Sequence, residues 1–268
     1  MHAALRELEN DTVHVLREVR QRFTNPAILW SMGKDSTTLL WLARKAFFGE
    51  VPFPVLHIDT SYKFPEMYAF RDQYASTWGL DLRVHRNEAA LAQGMGPHVG
   101  TKLECCTALK TTALQQAIAA GGHDAVLLGI RGDEHGVRAK ERVFSPRDAS
   151  FAWDYHNQPP EFWDLHQAAV DDGGHIRVHP ILRWREVDIW EYVLAEKVPV
   201  PNLYLADGGR RYRSIGCACC CSPVSSEART MTDIVLEVRT SRDGERAGRA
   251  QDKEDAAAMQ KLRALGYM

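Results

Sequence analysis

The chain has 268 residues, 45% of them hydrophobic and 25% charged, with a formal net charge of −2. That length suits one large domain or a domain with an appended subdomain, and the composition is ordinary for a globular protein. A near-neutral total charge excludes binding of nucleic acid through bulk electrostatics and leaves room only for a local basic patch. No apolar run reaches the roughly 20 residues that a membrane span needs.

Leu5, Leu8, Val13, Leu16 and Val19 recur at helical spacing and predict a helix over 3–22. Its charged start is unlike a secretory signal, so a cytoplasmic location is expected. Residues 27–30 read as a short buried strand, 36–48 as a helix and 55–58 as a second strand. The stretch 64–79 is helical and stops at Gly79; 81–86 is a third strand. A helix over 107–120 ends at Gly121-Gly122, and 124–130 is a fourth strand. Strands alternating with helices predict an α/β fold, a parallel twisted sheet with helices on both faces. Residues 148–167, aromatic and proline-containing, read as an ordered excursion, 185–198 as an amphipathic helix and the tail 252–268 as helix-forming. There is no internal repeat. The expected division is an α/β domain over 1–184 and a cysteine-containing, mostly helical or irregular subdomain over 185–268 packed on it.

Three groups of residues carry chemistry. The first is the loop Ser31-Met32-Gly33-Lys34-Asp35-Ser36 between a strand and a helix. Backbone N–H groups at a helix start, a cation and two hydroxyls make an anion site, with Gly33 expected to permit the tight backbone. The spacing is not that of a Walker A loop. The plainer alternative is a helix start capped by Asp35 and Ser36, with Lys34 in solvent. The second group lies at strand ends: Asp59 in "HIDT", and "GIRGDEHGVRAKER" with Gly129, Arg131, Asp133, Glu134, Arg138, Lys140 and Arg142. Four cations beside two acids suit a polyphosphate with a divalent metal, or else a solvated loop. The third group is six cysteines in two tight sets, Cys105-Cys106 and Cys217 with Cys219, Cys220 and Cys221. Such clustering favours metal or redox chemistry over disulfides. Structural zinc and buried, silent thiols remain open readings.

"SMGKDS" resembles the pyrophosphate loop of the ATP pyrophosphatase (adenine nucleotide α-hydrolase-like) superfamily, with Met32 where glycine or isoleucine is usual. "LHIDTSYKFPEMYAFRDQY", "GIRGDEHGVRAKERVFSPRD", "WREVDIWEYV" and "GERAGRAQDKEDAAAMQKLRALGYM" extend the likeness to the small, ATP-binding subunit of bacterial sulfate adenylyltransferases, over most of 25–268. The resemblance implies a Rossmann-like sheet and an enzyme that cleaves ATP to AMP and pyrophosphate. It puts the β- and γ-phosphates on Ser31, Gly33, Lys34, Asp35 and Ser36, beside Gly129. Lys34 with Arg131, Arg138 and Arg142 would neutralise the leaving pyrophosphate. Mg²⁺ would sit near Asp133, and Asp59 would bind the ribose or orient a metal.

The cysteine stretches "KLECCTALKTTAL" and "RYRSIGCACCCSP" instead resemble the adenylyl-sulfate reductase branch of that superfamily. There the matching cysteines, here Cys105, Cys106, Cys217 and Cys220, hold a [4Fe–4S] cluster. Cys219 and Cys221 have no counterpart. No cysteine follows Cys221, so the reductases' C-terminal redox thiol has no equivalent in this chain. ATP chemistry, a cluster and no redox thiol together resemble the DNA phosphorothioation proteins of the DndC/SspD type. That likeness implies sulfur insertion into the DNA backbone with a cysteine desulfurase as partner. Two alternatives stand beside it: a sulfate adenylyltransferase subunit 2 working with a GTPase large subunit, and a nucleotide-binding scaffold without turnover. The acceptor, DNA phosphate or sulfate, is left open, as are the roles of Cys219 and Cys221.

Overall fold

A computed structural model of the chain describes residues 1–161, 163, 165–167, 172–241, 244–249 and 258–265. Its centre is a six-stranded sheet of β1 (Pro26–Leu29), β2 (Val55–Ile58), β3 (Leu82–His85), β4 (Ala125–Leu127), β5 (Phe144–Arg147) and β6 (His175–Val178). The order across the sheet is β3-β2-β1-β4-β6-β5, parallel except for β5, which runs antiparallel to β6. All residues of β1, β2, β4 and β6 are buried, as strands covered on both faces must be.

The pleat divides the core. Ile28, Trp30, Val55, Leu127 and Val178 point to one face. There they meet α1 (Ala3–Arg22), α2 (Lys34–Ala46), α7 (Glu186–Glu196) and α8 (Met231–Thr240). Ala27, Leu29, Leu56, Ile58, Val126 and Leu128 point to the other face, where α6 (Ala113–Gly121) packs. The first core takes in side chains from Leu5 to Val235, on both sides of residue 184.

Further elements are α3 (Pro65–Thr77), α4 (Glu88–Ala92), α5 (Lys102–Cys106) and α9 (Ala258–Ala264). A short antiparallel pair, β7 (Arg210–Arg211) and β8 (Val224–Ser225), flanks the cysteine loop. The helix expected over 107–120 starts earlier. Thr101 and Glu104 close a capping box ahead of α5, and a π-helical turn over Thr107–Thr112 joins α5 to α6. Strands β5 and β6 escaped the sequence reading. Pro146 interrupts the first, which the fold tolerates because β5 is an edge. Part of the expected tail helix, 252–257 and 266–268, lies outside the described residues, as do 162 and 164 of the excursion. No helix among the described residues is long and apolar enough to cross a membrane.

Candidate nucleotide site and cysteine pocket

The chain leaves β1 toward β2 and β3, then returns to place β4 on the other side of β1. The carboxyl ends of β1 and β4 therefore flank a topological switch point, where parallel α/β sheets bind ligands. A cleft of about 130 Å³ opens there. Its walls are Leu29–Ser36 without Met32, the β2 end with Ile58 and Lys63, and the β4 end over 128–130. Lys110, Tyr204, the segment 214–216, Glu134, Arg138, Arg246 and Arg249 complete it. Six cationic side chains thus face two carboxylates, Asp35 and Glu134, a balance that suits a polyphosphate.

The loop turns on Met32, not on Gly33. Met32 is fully buried with φ +62°, a left-handed conformation that costs a non-glycine residue about 1–2 kcal/mol. Gly33 has an ordinary φ of −68°, and a Cβ there would make only van der Waals contacts with Ser31 and Tyr204. The expected role of Gly33 is corrected accordingly: the strained residue is its neighbour, a common placement at functional sites. Ser36 Oγ lies 3.0 Å from Ser31 Oγ and accepts the Ser31 N–H at 3.2 Å. Lys34 N–H donates to Tyr204 Oη at 2.9 Å. Gly129 is sterically required, because a Cβ would come within 2.7 Å of Ser36 Cα and 2.8 Å of Ser36 N. Its absence lets β4 press against the start of α2.

Beneath the loop is a buried ion network. Lys34 Nζ lies 2.8 Å from Asp35 and 2.5 Å from Glu245. Arg131, fully buried, donates to Asp35, to Glu245 and, through Nε at 2.9 Å, to Asp133. Burial alone would lower the pKa of Lys34, but the carboxylates of Asp35 and Glu245 outweigh it and hold the ammonium above its ordinary range. Burial pushes Glu245 the other way from its cations; Arg131 and Lys34 win and keep it a carboxylate. Glu134 pairs with Arg138 and, at 3.0 Å, with Arg246.

Of the residues singled out in the sequence, Ser31, Gly33, Lys34, Asp35, Ser36, Gly129 and Arg138 line the cleft, and Arg131 lies in the network beneath. Asp59, Asp133 and Arg142 do not line it, and neither does Lys140. Asp59 is engaged by Ser61 N–H, Tyr68 Oη and Arg86. Asp133 receives Arg131 and the Glu186 N–H, so both its oxygens hold protein. Arg142 donates to the Pro159 carbonyl at 3.3 Å. Sequence reasoning passed over Lys63, Lys110, Tyr204, Glu245, Arg246 and Arg249. The last three lie in "GERAGR", a stretch compared as a block without asking which side chains face inward.

The two cysteine sets meet. Cys105, Cys106, Cys217, Cys219 and Cys220 line one pocket with Thr60, Tyr62, Lys102 and Lys110. Lys110 also lines the switch-point cleft, so the two cavities share a wall. Burial raises the Cys217 thiol, but Lys110, Lys63 and the Thr60 hydroxyl at 3.2 Å bring it down to about 7. Cys105 and Cys220 go up to about 11 and about 12, driven by burial and neighbouring thiols. Cys221 stands apart, accepting the Gly216 N–H at 3.0 Å and Arg249 Nη1 at 2.7 Å. The donor set fits a thiolate-bound cluster in kind and number. The space between the thiols is about 10 Å³, room for one water, so a cluster would enter only as the thiols part. Among the described residues no three His, Cys, Asp or Glu side chains converge as ligands of a single ion, which tetrahedral zinc would need.

The family model of the phosphoadenosine phosphosulfate reductase domain matches residues 25–223. Among curated proteins, sulfate adenylyltransferase subunit 2 of Allorhizobium ampelinum is 40% identical, over 98% of this chain and 93% of that protein. The protein of the same name from Pseudomonas fluorescens is also 40% identical, over 98% and 97%. Among solved structures, the phosphoadenylyl-sulfate reductase of Candida auris in a phosphate complex aligns with a TM-score of 0.57 at 20% identity, covering 82% of this chain and 96% of that one. The FMN adenylyltransferase of Candida glabrata aligns with a TM-score of 0.57 at 16% identity, covering 99% and 84%. At those identities the two structures speak for the fold, a mostly parallel sheet with helices on both faces.

Proposed function

The chain belongs to the phosphoadenosine phosphosulfate reductase domain family, and from that premise we propose that it transfers the adenylyl group of ATP to sulfate. A sulfate oxygen attacks the α-phosphorus, the bond from that phosphorus to the β-phosphate bridging oxygen breaks, and pyrophosphate leaves. Adenylyl sulfate is the product. The observation that carries this reading is the cleft at the β1–β4 switch point, with six cations around the Ser31–Ser36 loop. The site's task is positioning and stabilising charge on the leaving pyrophosphate, with no covalent intermediate on the protein. Asp35 and Glu134 line the cleft and Asp133 does not, but both carboxylates already hold protein cations through each oxygen, so Mg²⁺ would be held chiefly by the phosphates beside them. By its likeness to subunit 2, the chain would work beside a GTPase large subunit. The 40% relatives favour sulfate over the DNA phosphate that the cysteine motifs led the sequence reading to prefer.

One observation keeps a second reading in view, the five cysteines that share a wall with the cleft. Cys105, Cys106, Cys217 and Cys220 would hold a [4Fe–4S] cluster, which when bound would orient the acceptor or accept sulfur. With that reading go a cysteine desulfurase and DNA as partners. Exchange of labelled pyrophosphate into ATP decides between them. Exchange that depends on sulfate supports the first reading. AMP formed only with DNA and a desulfurase supports the second. ATP bound with no AMP under any condition would leave a scaffold.

A further inference from the structure

Glu245 comes from a single turn after α8, Glu245–Gly248, and reaches both of the buried cations under the phosphate loop. Lys34 Nζ has its short contacts with Asp35 and Glu245. Arg131 gives its Nη1 edge to Asp35, its Nη2 edge to Glu245 and its Nε to Asp133. Every face of the guanidinium is thus spent on a carboxylate. Neither cation reaches solvent: Lys34 is 1% exposed and Arg131 0%. A phosphate oxygen and the Glu245 carboxylate seek the same donors, and with Asp35 already on both cations a third anion in the buried site would add repulsion without a further cation.

We infer that Glu245 is a positioning residue that occupies the donors pyrophosphate would take and gives way to it when nucleotide binds. The inference rests on the reading of the cleft as an ATP site and goes beyond it by assigning the carboxylate a place in the binding step. Glu245 keeps Lys34 and Arg131 side by side and desolvated. On binding, the β- and γ-phosphate oxygens replace its two oxygens. The displaced turn also carries Arg246, on Glu134, and is followed directly by Arg249, on the Cys221 thiol. Occupancy of the cleft would therefore be felt at the cysteine loop through one short segment. Asp35 lies in the first turn of α2, next to Lys34 in the chain, and so stays near both cations when Glu245 leaves.

The test is calorimetric titration of inorganic pyrophosphate into wild type, Glu245→Gln and Glu245→Ala, with ATP turnover measured alongside. Removing a carboxylate that the ligand must displace should tighten pyrophosphate binding by about tenfold, the worth of one charge-assisted hydrogen bond. Turnover should fall, since the freed cations also hold the leaving group more tightly. Equal or weaker binding in both variants overturns the inference, because a static support would give that result. Wild type that binds neither pyrophosphate nor ATP overturns the reading of the cleft itself. A crystal structure of the wild-type protein with pyrophosphate is the measurement that needs no variant to fold. The Glu245–Lys34 contact replaced by a phosphate oxygen bears the inference out, and its retention beside bound pyrophosphate sinks it.

Discussion

The nucleotide cleft and the cysteine pocket share Lys110 as a wall and differ in how their charge is managed. In the cleft, Lys34, Arg131, Arg138 and Arg246 all have carboxylate partners before any ligand arrives. In the pocket, thiols crowd one another, two are pushed up to about 11 and about 12, and only Cys217 is brought down, to about 7. The cleft is preassembled and needs an exchange of anions. In the pocket Cys105 and Cys220 are held as thiols and must lose their protons, as any metal bound by thiolates requires. Ligand binding should therefore cost stored ion pairs in one cavity and release protons in the other.

The sharpest way to break this comparison is Lys34→Ala. Pyrophosphate release should fall about 10²–10³-fold, the usual effect of removing one group that stabilises developing charge. Glu245 keeps Arg131, so the chain should still fold, and the cysteine pocket should keep its properties. Stopped assays of AMP and pyrophosphate check the first part; retained turnover would remove Lys34 from the mechanism. The converse is Cys217→Ser, with iron and acid-labile sulfide measured after strictly anaerobic purification. About four irons per chain in wild type, and none in the variant, are expected if a cluster is held. ATP affinity should change little. Iron-free wild type would return the cysteines to thiol chemistry alone and leave the sulfate reading undisturbed.

How much of this was legible in the sequence follows from the range of the interactions. Strands β1, β2 and β4 were readable because burial on both faces writes a continuous apolar run, and the loop was readable because it is local. Glu245 was not, since its meaning depends on Lys34 and Arg131, which lie 211 and 114 residues away along the chain. Met32 was read only as a departure from the usual glycine or isoleucine; backbone geometry shows that it bears the left-handed turn. Asp59 and Asp133 were plausible because they follow strands, yet hydrogen-bond partners remote in sequence had already claimed their oxygens. The meeting of Cys105 and Cys106 with Cys217 and Cys220 was reached through family likeness, and no spacing rule would have produced it. Three of the six strands of the sheet, β4, β5 and β6, lie between the two sets in the chain.

Gly129→Ala probes the cleft at a smaller scale. Its new Cβ would meet the Ser36 backbone, which cannot swing aside as a side chain can. Overpacking of this kind costs about 1–3 kcal/mol. Thermal melting should drop by several degrees, and the Michaelis constant for ATP should rise because the start of α2 moves. Alkylation of the cysteine pocket should keep its wild-type rate. A variant with unchanged melting and unchanged ATP kinetics would mean that β4 does not press on the loop.

Acidity separates the two cavities with the smallest effect and without mutating either. His57, in β2 beside the cleft, is buried and donates Nδ1–H to the Trp30 carbonyl at 3.0 Å. Burial, with Lys63 adding to it, brings its pKa down from 6.5 to about 3. A histidine depressed in the fold favours unfolding when it must be protonated. Its contribution is full above 6.5 and is lost as pH falls toward 3, at up to about 1.4 kcal/mol per pH unit for one proton. Cys217 acts in a different window in metal-free protein. Its thiol is depressed from 9.0 to about 7, so its contribution is present above 9 and lost as pH falls through 7. Below pH 6.5 the thiol is protonated in both states and drops out. Melting curves of metal-free wild type, Cys217→Ser and His57→Asn across pH 4–9 should then diverge in separate ranges. The cysteine variant should flatten the profile between 9 and 7, and the histidine variant the limb below 6.5. His175 and His179, also brought down to about 3 by burial, leave part of that acid limb in place. Profiles that change together in one range would mean that cleft and pocket titrate as a single unit through Lys63 and Lys110.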